Sequence, residues 1–178
     1  MKTQSTNTKR AFMMCGMPGS GKSTYVENEL RIEFPNIVVI SRDIIRHEMG
    51  FTKSVDDKQA LRYELEMMVT RREYEMIDQC INEGVPFVID DMNSRNKFRR
   101  PMVEYIKERG YSVTGINIRT DFEICVKRRE NQIDKSTMNQ IMNRLEWLTD
   151  EICDEVFDVV TTVAHDVNEL ESIIKERY

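Results

Sequence analysis

Short apolar runs alternate along the chain with stretches in which apolar residues recur at helical spacing. Ala11 to Cys15, Ile37 to Ser41, Val85 to Asp90, Ser112 to Ile118 and Val156 to Thr162 each read as a strand buried in a sheet. Between them, Lys22 to Glu33 carries Tyr25, Val26, Leu30 and Ile32 at roughly helical intervals, with charges in between. A short helix is expected from about Asp43 to Met49. A long one is expected from Asp56 to Glu83, carrying Leu61, Leu65, Met68, Val69, Tyr74, Met76 and Ile77 and stopped by Gly84. Ser94 to Arg109 follows, closed by Gly110, with Pro101 either kinking it or beginning its regular part. Further helices are expected at Phe122 to Gln132, Thr137 to Cys153 and Asn168 to Arg177. Strands alternating with helices imply an α/β fold: a five-stranded parallel sheet with helices on both faces.

The first strand runs into Gly16-Met17-Pro18-Gly19-Ser20-Gly21-Lys22-Ser23, followed by Thr24. The stretch fits the phosphate-binding pattern G-x-x-x-x-G-K-[ST]. Glycines let the backbone close into a nest whose N–H groups face phosphate oxygens, with no Cβ in the way. Lys22 can reach the β- and γ-phosphates, and the Ser23 hydroxyl can bind Mg²⁺. Thr24 lies in the first turn of the next helix, whose positive end adds to the attraction. Strand, glycine-rich loop and helix together are the context this motif needs, so a nucleoside triphosphate and Mg²⁺ are the expected ligands and the fold is that of a P-loop NTPase.

Composition narrows the class. A chain of 178 residues with 40% hydrophobic and 32% charged residues fits one globular domain. We expect a flexible tail over residues 1–10 and one domain over 11–178. No run approaches a membrane span, and the polar N-terminus lacks a signal peptide's apolar core. Cys15, Cys80, Cys125 and Cys153 have neither zinc nor disulfide-framework spacing, so a reducing, cytoplasmic setting is expected. The net charge of −5 argues against coating nucleic acid by bulk electrostatics. It leaves room for an enzyme that grips one end of a strand.

Chemistry in a parallel sheet gathers beyond the carboxyl ends of its strands. Asp43 and Arg46 follow the second strand, three residues apart on one side of a helix. Such a pair can act as a proton acceptor and a phosphoryl clamp, or can be a helix cap and a solvated ion pair. Asp90-Asp91-Met92-Asn93 follows the third strand, where a carboxylate can hold Mg²⁺ through water and Asn93 can cap the next helix. Lys127-Arg128-Arg129 fits either a helical lid that neutralises phosphate charge or a solvated face. Arg95, Lys97, Arg99 and Arg100 fit either a backbone-phosphate contact or another solvated face. His47 and His165 are isolated, and Trp147 reads as helix packing rather than base stacking.

The order Gly-Met-Pro-Gly-Ser-Gly-Lys-Ser-Thr, Ser-Arg-Asp-x-x-Arg, Ile-Asp-Asp-Met-Asn and Val-Lys-Arg-Arg resembles the kinase domain of bacteriophage-type 5′-hydroxyl polynucleotide kinases. The likeness runs from about Ala11 to Trp147. It implies that Pro18 to Thr24 cradle ATP, that Asp43 is the general base and that Arg46 holds the acceptor's phosphate. It further implies that Asp91 helps position the acceptor, that Arg128 is a lid arginine on ATP within a lid of roughly 122–148, and that Lys22 and Ser23 bind the ATP phosphates and Mg²⁺. From their place in the turn after the third strand, Asp90 is a further expected Mg²⁺ ligand and Asn93 a further acceptor contact. Two departures stand out. Gln132 occupies the place of the family's second lid arginine, so either Arg129 substitutes for it or the lid works differently. No Asp-x-Asp-x-Thr-type phosphatase motif occurs, so 3′-phosphatase activity is not expected.

The resulting expectation is an ATP-dependent kinase acting on a nucleic-acid hydroxyl, most simply the 5′-OH end of DNA or RNA, with no membrane partner. A kinase of a hydroxymethylated base or of a small nucleotide or metabolite hydroxyl is the alternative. A non-catalytic ATP-binding switch is a further one.

Overall fold

A computed structural model describes residues 9–51, 59–148 and 157–165. The central strand, β1 (Arg10–Cys15), is apolar on both sides, and its alternation sorts the two layers of the core. Ala11, Met13 and Cys15 join one buried cluster, while Phe12 and Met14 join the other. A strand buried on both faces belongs inside a parallel sheet. β2 (Val38–Ile40), β3 (Phe87–Ile89), β4 (Ser112–Thr120) and β5 (Val159–His165) complete it in the order β2-β3-β1-β4-β5, with every pairing parallel.

After the loop, α1 (Lys22–Tyr25), a π-helical turn (Val26–Leu30) and α2 (Arg31–Glu33) form one continuous rod. The rod buries Val26 and Leu30 against Phe12, Met14 and Ile118. The opposite face is covered by α3 (Arg42–Glu48), α4 (Gln59–Glu83) and α5 (Asn96–Lys107), which contribute Ile45, Val69, Ile77, Met102, Val103 and Ile106. Cys125 of α6 (Phe122–Arg129) and Met138 of α7 (Lys135–Arg144) belong to that same cluster. The expected doubly covered parallel sheet is therefore the architecture observed.

Several boundaries differ from the sequence reading, among them the end of α6 at Arg129 rather than Gln132, and three others carry a physical reason. The expected helix from Thr137 to Cys153 stops at Arg144. Leu145 to Leu148 keep apolar spacing, but here they serve as plugs along an extended segment. The Leu148 carbonyl accepts from Asn117 Nδ2 at 2.8 Å, its N–H donates to Asn117 Oδ1 at 3.2 Å, and Glu146 N–H donates to the Ser94 carbonyl at 2.8 Å. The buried Asn117 thus outbids further helix, and Trp147 lies outside any helix, half-buried with the Arg119 guanidinium 5.0 Å from its ring centre. The last strand begins at Val159, three residues after the expected Val156, because its register is set by Thr114↔Val159. The α5 helix begins at Asn96, so Pro101 lies inside it. Of the expected tail over residues 1–10, Arg10 belongs instead to β1, where it pairs with Ser112. Residues 1–8 lie outside the described residues, as do the start of the long helix before Gln59, Cys153 and the helix at Asn168 to Arg177. No helix among the described residues is long and apolar enough to cross a membrane.

Candidate active site

The phosphate loop is shaped by close backbone approaches. A Cβ on Gly16 would sit 2.6 Å from the Ile118 carbonyl oxygen, so the loop can leave β1 against β4 only without a side chain there. Gly19 has φ +79°, and a Cβ there would meet the Cys125 carbonyl at 2.9 Å, which leaves α6 lying directly on the loop. Gly21 is the N-cap of α1. Lys22 Nζ donates to the Met17 carbonyl at 2.8 Å and the Gly16 carbonyl at 3.1 Å. Its pKa is lowered by burial, which Asp90 and Asp91 oppose by their charge. The Ser20 hydroxyl is buried with no partner, while the Ser20 carbonyl accepts from Thr120 Oγ1 at 2.7 Å.

A cavity of about 360 Å³ opens over this loop, lined by Gly19, Lys22, Ser23, Thr24, Arg128 and Arg129 among others. Arg128 Nη1 donates to the Gly19 carbonyl at 3.0 Å. Arg129 Nη1 donates to Gln132 Oε1 at 2.5 Å. Gln132, found where a second lid arginine was expected, thus orients Arg129 beside the same cavity. Two guanidiniums, a lysine and a helix N-terminus face one polyanion-sized space, and the residues fit a nucleotide triphosphate. Among the described residues no three Asp, Glu, His or Cys side chains gather as a metal cluster. A Mg²⁺ ion would take few protein ligands here and rely on phosphate oxygens and water, as this cation commonly does.

Asp43 and Arg46 do face one another, at 2.7 Å. Asp43 does not cap its helix: Ser41 is the N-cap, and the Asp43 carboxylate remains 89% exposed. Nor is the pair an isolated surface contact. Arg46 Nε and Nη2 grip Glu66 Oε1 and Oε2 at 2.9 and 3.0 Å, a two-pronged pairing from α4. Arg42 joins the same cluster, donating to Glu66 Oε2 at 2.9 Å, to Glu73 Oε2 at 2.7 Å and to Thr70 Oγ1 at 3.1 Å, with Asp91 Oδ2 3.8 Å from its Nε. Hydrogen bonds from Arg46 hold the Glu66 carboxyl down to about 2, against partial burial, with Arg42 adding to them. Burial pushes Glu73 and Asp91 the other way, upward, against the pull of nearby arginines. Because the folded value of Glu66 is depressed, its stabilisation is complete above its ordinary value of 4.5 and fades as pH falls toward 2. A Glu66→Gln variant is therefore expected to lose on the order of 1 kcal/mol at neutral pH, after allowance for solvent screening. Urea midpoints of the two proteins should converge as the pH is lowered.

The Asp90-Asp91-Met92-Asn93 turn lies at the tip of β3, next to the loop, with Gly16 N–H directed at the Met92 carbonyl at 3.4 Å. Asn93 is not the cap of the following helix; that place belongs to Arg95, and Asn96 N–H is met by the Glu146 carboxylate at 2.7 Å. Asn93 adopts φ +44° and its amide nitrogen donates to the Met14 carbonyl at 2.8 Å, which ties the turn to β1. The basic cluster divides. Arg99 is 1% exposed and donates to the Asn93 carbonyl at 2.6 Å and the Glu146 carbonyl at 2.7 Å, so it is an internal brace rather than a phosphate contact.

The family model AAA_33, an AAA domain, matches residues 12–150. The chain belongs to the AAA_33 family. Solved structures place this AAA_33 chain among P-loop kinases in fold. A chain in the Pnkp1/Rnl/Hen1 RNA repair complex is 24% identical with a TM-score of 0.66, over 89% of this chain and 49% of that one. This chain therefore spans about half that protein's length. A fungal RNA kinase is 21% identical, TM-score 0.57, over 96% and 82% of the two chains. The Mycobacterium tuberculosis APS kinase CysC, solved with AMPPNP and APS, is 14% identical, TM-score 0.57, over 95% and 96%.

Within this AAA_33 fold, Arg42, Glu66 and Glu73 join the cluster around Asp43 and Arg46 without having been singled out from the sequence. Arg42 stood inside the Ser-Arg-Asp-x-x-Arg stretch without a role of its own. Glu66, Thr70 and Glu73 lie four and three residues apart, on one side of α4, with the buried Val69 and Ile77 in the same helix. A glutamate 2% exposed on such a stripe demands a cation, and Arg42 is the one it meets.

Proposed function

We propose that this AAA_33 protein is a kinase that transfers the γ-phosphoryl group of ATP to a hydroxyl of a nucleic acid, the 5′-OH end of DNA or RNA. The observation that carries the reading is the Asp43–Arg46 pair, clamped by Glu66 across the tip of β3 from the phosphate loop. A protein that only bound nucleotide has no use for a second, anchored acid–arginine pair. ATP would supply the phosphoryl group and Mg²⁺ would neutralise its charge.

The chain's own residues divide the remaining work. Pro18 to Thr24 form the cradle, where Lys22 exchanges its two loop carbonyls for phosphate oxygens. Arg128, with Arg129 steered by Gln132, covers the phosphates from α6. Ser23 and Asp90 would hold the cation. Asp43 takes the proton of the acceptor hydroxyl as the hydroxyl oxygen bonds to the γ-phosphorus and the bond from that phosphorus to the β–γ bridging oxygen breaks, releasing ADP. Arg46 spends three of its five N–H groups on Glu66 and Asp43, and the remaining two hold the acceptor's phosphate. Asp91, beside Arg42, positions the acceptor.

The test is transfer of labelled γ-phosphate from ATP, with Mg²⁺, to a single-stranded 5′-OH oligonucleotide, beside its 5′-phosphorylated twin. Label on the 5′-OH strand alone supports the reading, and label on neither strand overturns it. The end-to-end match with an APS kinase keeps a small-molecule hydroxyl in view as the second acceptor class. A duplex carrying hydroxymethylated pyrimidines tests the base-modification alternative in the same assay.

A further inference from the structure

A second cavity, of about 420 Å³, opens on the acceptor side of the molecule, between α4, α5 and the turn after β3. Its size is that of a small-molecule site. Tyr74, Phe98, Pro101 and Met102 supply an apolar, partly aromatic wall, and Arg42 and Asp91 supply a polar floor. Phe98 is the feature that needs explaining. The α5 helix buries Met102, Val103 and Ile106 in the core, yet Phe98, one turn before Met102, is left 66% exposed on the cavity lining. Exposed aromatic area of this kind costs solvation and contributes nothing to the core. The Lys97 ammonium lies over the Phe98 ring, 4.7 Å from its centre, so one face of the platform carries a positive charge and the other is the face left for stacking.

An aromatic platform beside a cation is how proteins hold a base of a single strand together with its backbone phosphate. Thr70, Glu73, Asn93 and Ser94 also line the cavity, but Thr70 and Glu73 are held by Arg42 and the Asn93 amide by the Met14 carbonyl, which leaves fewer hydrogen-bonding groups than a sugar or a small carboxylic acid needs. The floor suits a heterocycle through the Asp91 carboxylate, which offers an acceptor to the polar edge of a base, while Arg42 Nη1 and Nη2 are committed to Thr70, Glu73 and Glu66 and its Nε faces Asp91.

We propose that this cavity is a nucleobase pocket: it receives the base of the acceptor's hydroxyl-bearing terminal nucleotide, which stacks on Phe98 while Lys97 meets the neighbouring phosphate. The proposal rests on the kinase reading above for the word acceptor, and on the cavity alone for the word base. Asp91 then faces both the base pocket and the phosphate-loop side, linking recognition of the terminal nucleotide to placement of its hydroxyl.

Binding without ATP separates the two readings. Fluorescence anisotropy is measured with two single-stranded 5′-OH oligonucleotides, identical except that one is abasic at its 5′-terminal nucleotide. The wild-type protein is expected to bind the base-bearing strand about ten-fold more tightly, the scale of one stacked base. Phe98→Ala should bind both strands alike, and Phe98→Trp should restore the preference. Because Phe98 is exposed, both variants should fold, and ATP affinity should be unchanged in each. Equal binding of the two strands by the wild type, no binding of either, or a preference that survives in Phe98→Ala overturns the pocket. A preference that behaves as expected in a protein that phosphorylates no oligonucleotide supports the base pocket and sinks the transfer reading instead.

Discussion

On the proposed kinase reading, an Asp43→Asn variant is expected to lose about 10²- to 10⁴-fold in kcat, the usual worth of a positioned general base. Its ATP affinity should stay within a factor of two or so, as expected when only the proton acceptor is lost. The structure makes this a clean experiment. The Asp43 side chain is 89% exposed and, among the described residues, pairs with a neighbour three residues on, so its contribution to stability is small. Arg46 keeps both prongs on Glu66 when Asp43 loses its charge, so the clamp itself survives the substitution. Single-turnover transfer and nucleotide titration on the same preparation read the two quantities. A variant that turns over at the wild-type rate removes Asp43 from the chemistry, and a proportional loss of ATP affinity makes it part of the nucleotide site.

The largest stability effect is expected at Arg99. The guanidinium is buried, and besides the Asn93 and Glu146 carbonyls it donates through Nε to Asn96 Oδ1 at 3.0 Å and through Nη2 to the same oxygen. It therefore joins the turn after β3, the start of α5 and the segment after α7. Truncation to alanine strands buried carbonyls and leaves a void, at a cost of about 3 kcal/mol. For a chain of this size that lowers Tm by roughly 10 °C. Lysine should recover part of the loss, since it restores the charge without the fork. Differential scanning calorimetry of the two variants distinguishes this role from phosphate contact. A phosphate contact would weaken oligonucleotide binding and leave Tm in place.

The phosphate loop was legible because its constraint is local: the glycines, lysine and serine sit within eight residues, and the flanking strand and helix announce themselves by period. The Asp43–Arg46 pair was legible in part, since three-residue spacing on a helix predicts the contact but not what anchors it. The anchor, Glu66, lies twenty residues further along the chain, on a helix crowded with other charges. In a sequence that is 32% charged, nothing marks one glutamate as the partner of two arginines until the fold brings α3 and α4 together. Arg99 illustrates the reverse error. Beside Arg95, Lys97 and Arg100 it resembles one more surface cation, and only the packing of three segments around it reveals a brace. The end of α7 failed for a third reason: Leu145 and Leu148 keep helical spacing, while the groups that pull the backbone out of helix, Asn117 and Ser94, are remote.

The placement of β1 also bears on how the molecule is made. Its two sheet neighbours are Phe87–Ile89 and Ser112–Asn117, about 75 and 100 residues downstream, and nothing nearer in the chain hydrogen-bonds to it in the sheet. The phosphate loop therefore leaves the ribosome well before its sheet partners and takes its shape only once they follow. At synthesis rates of roughly 5–20 residues per second, several seconds pass between the appearance of the loop and that of its last sheet partner. During that interval Phe12, Met13 and Met14 have no sheet to enter, a topology that favours slow, long-range folding and exposure to chaperones. A nascent chain halted before β4 would carry the whole phosphate-binding motif and lack the Ile118 and Thr120 contacts that shape it.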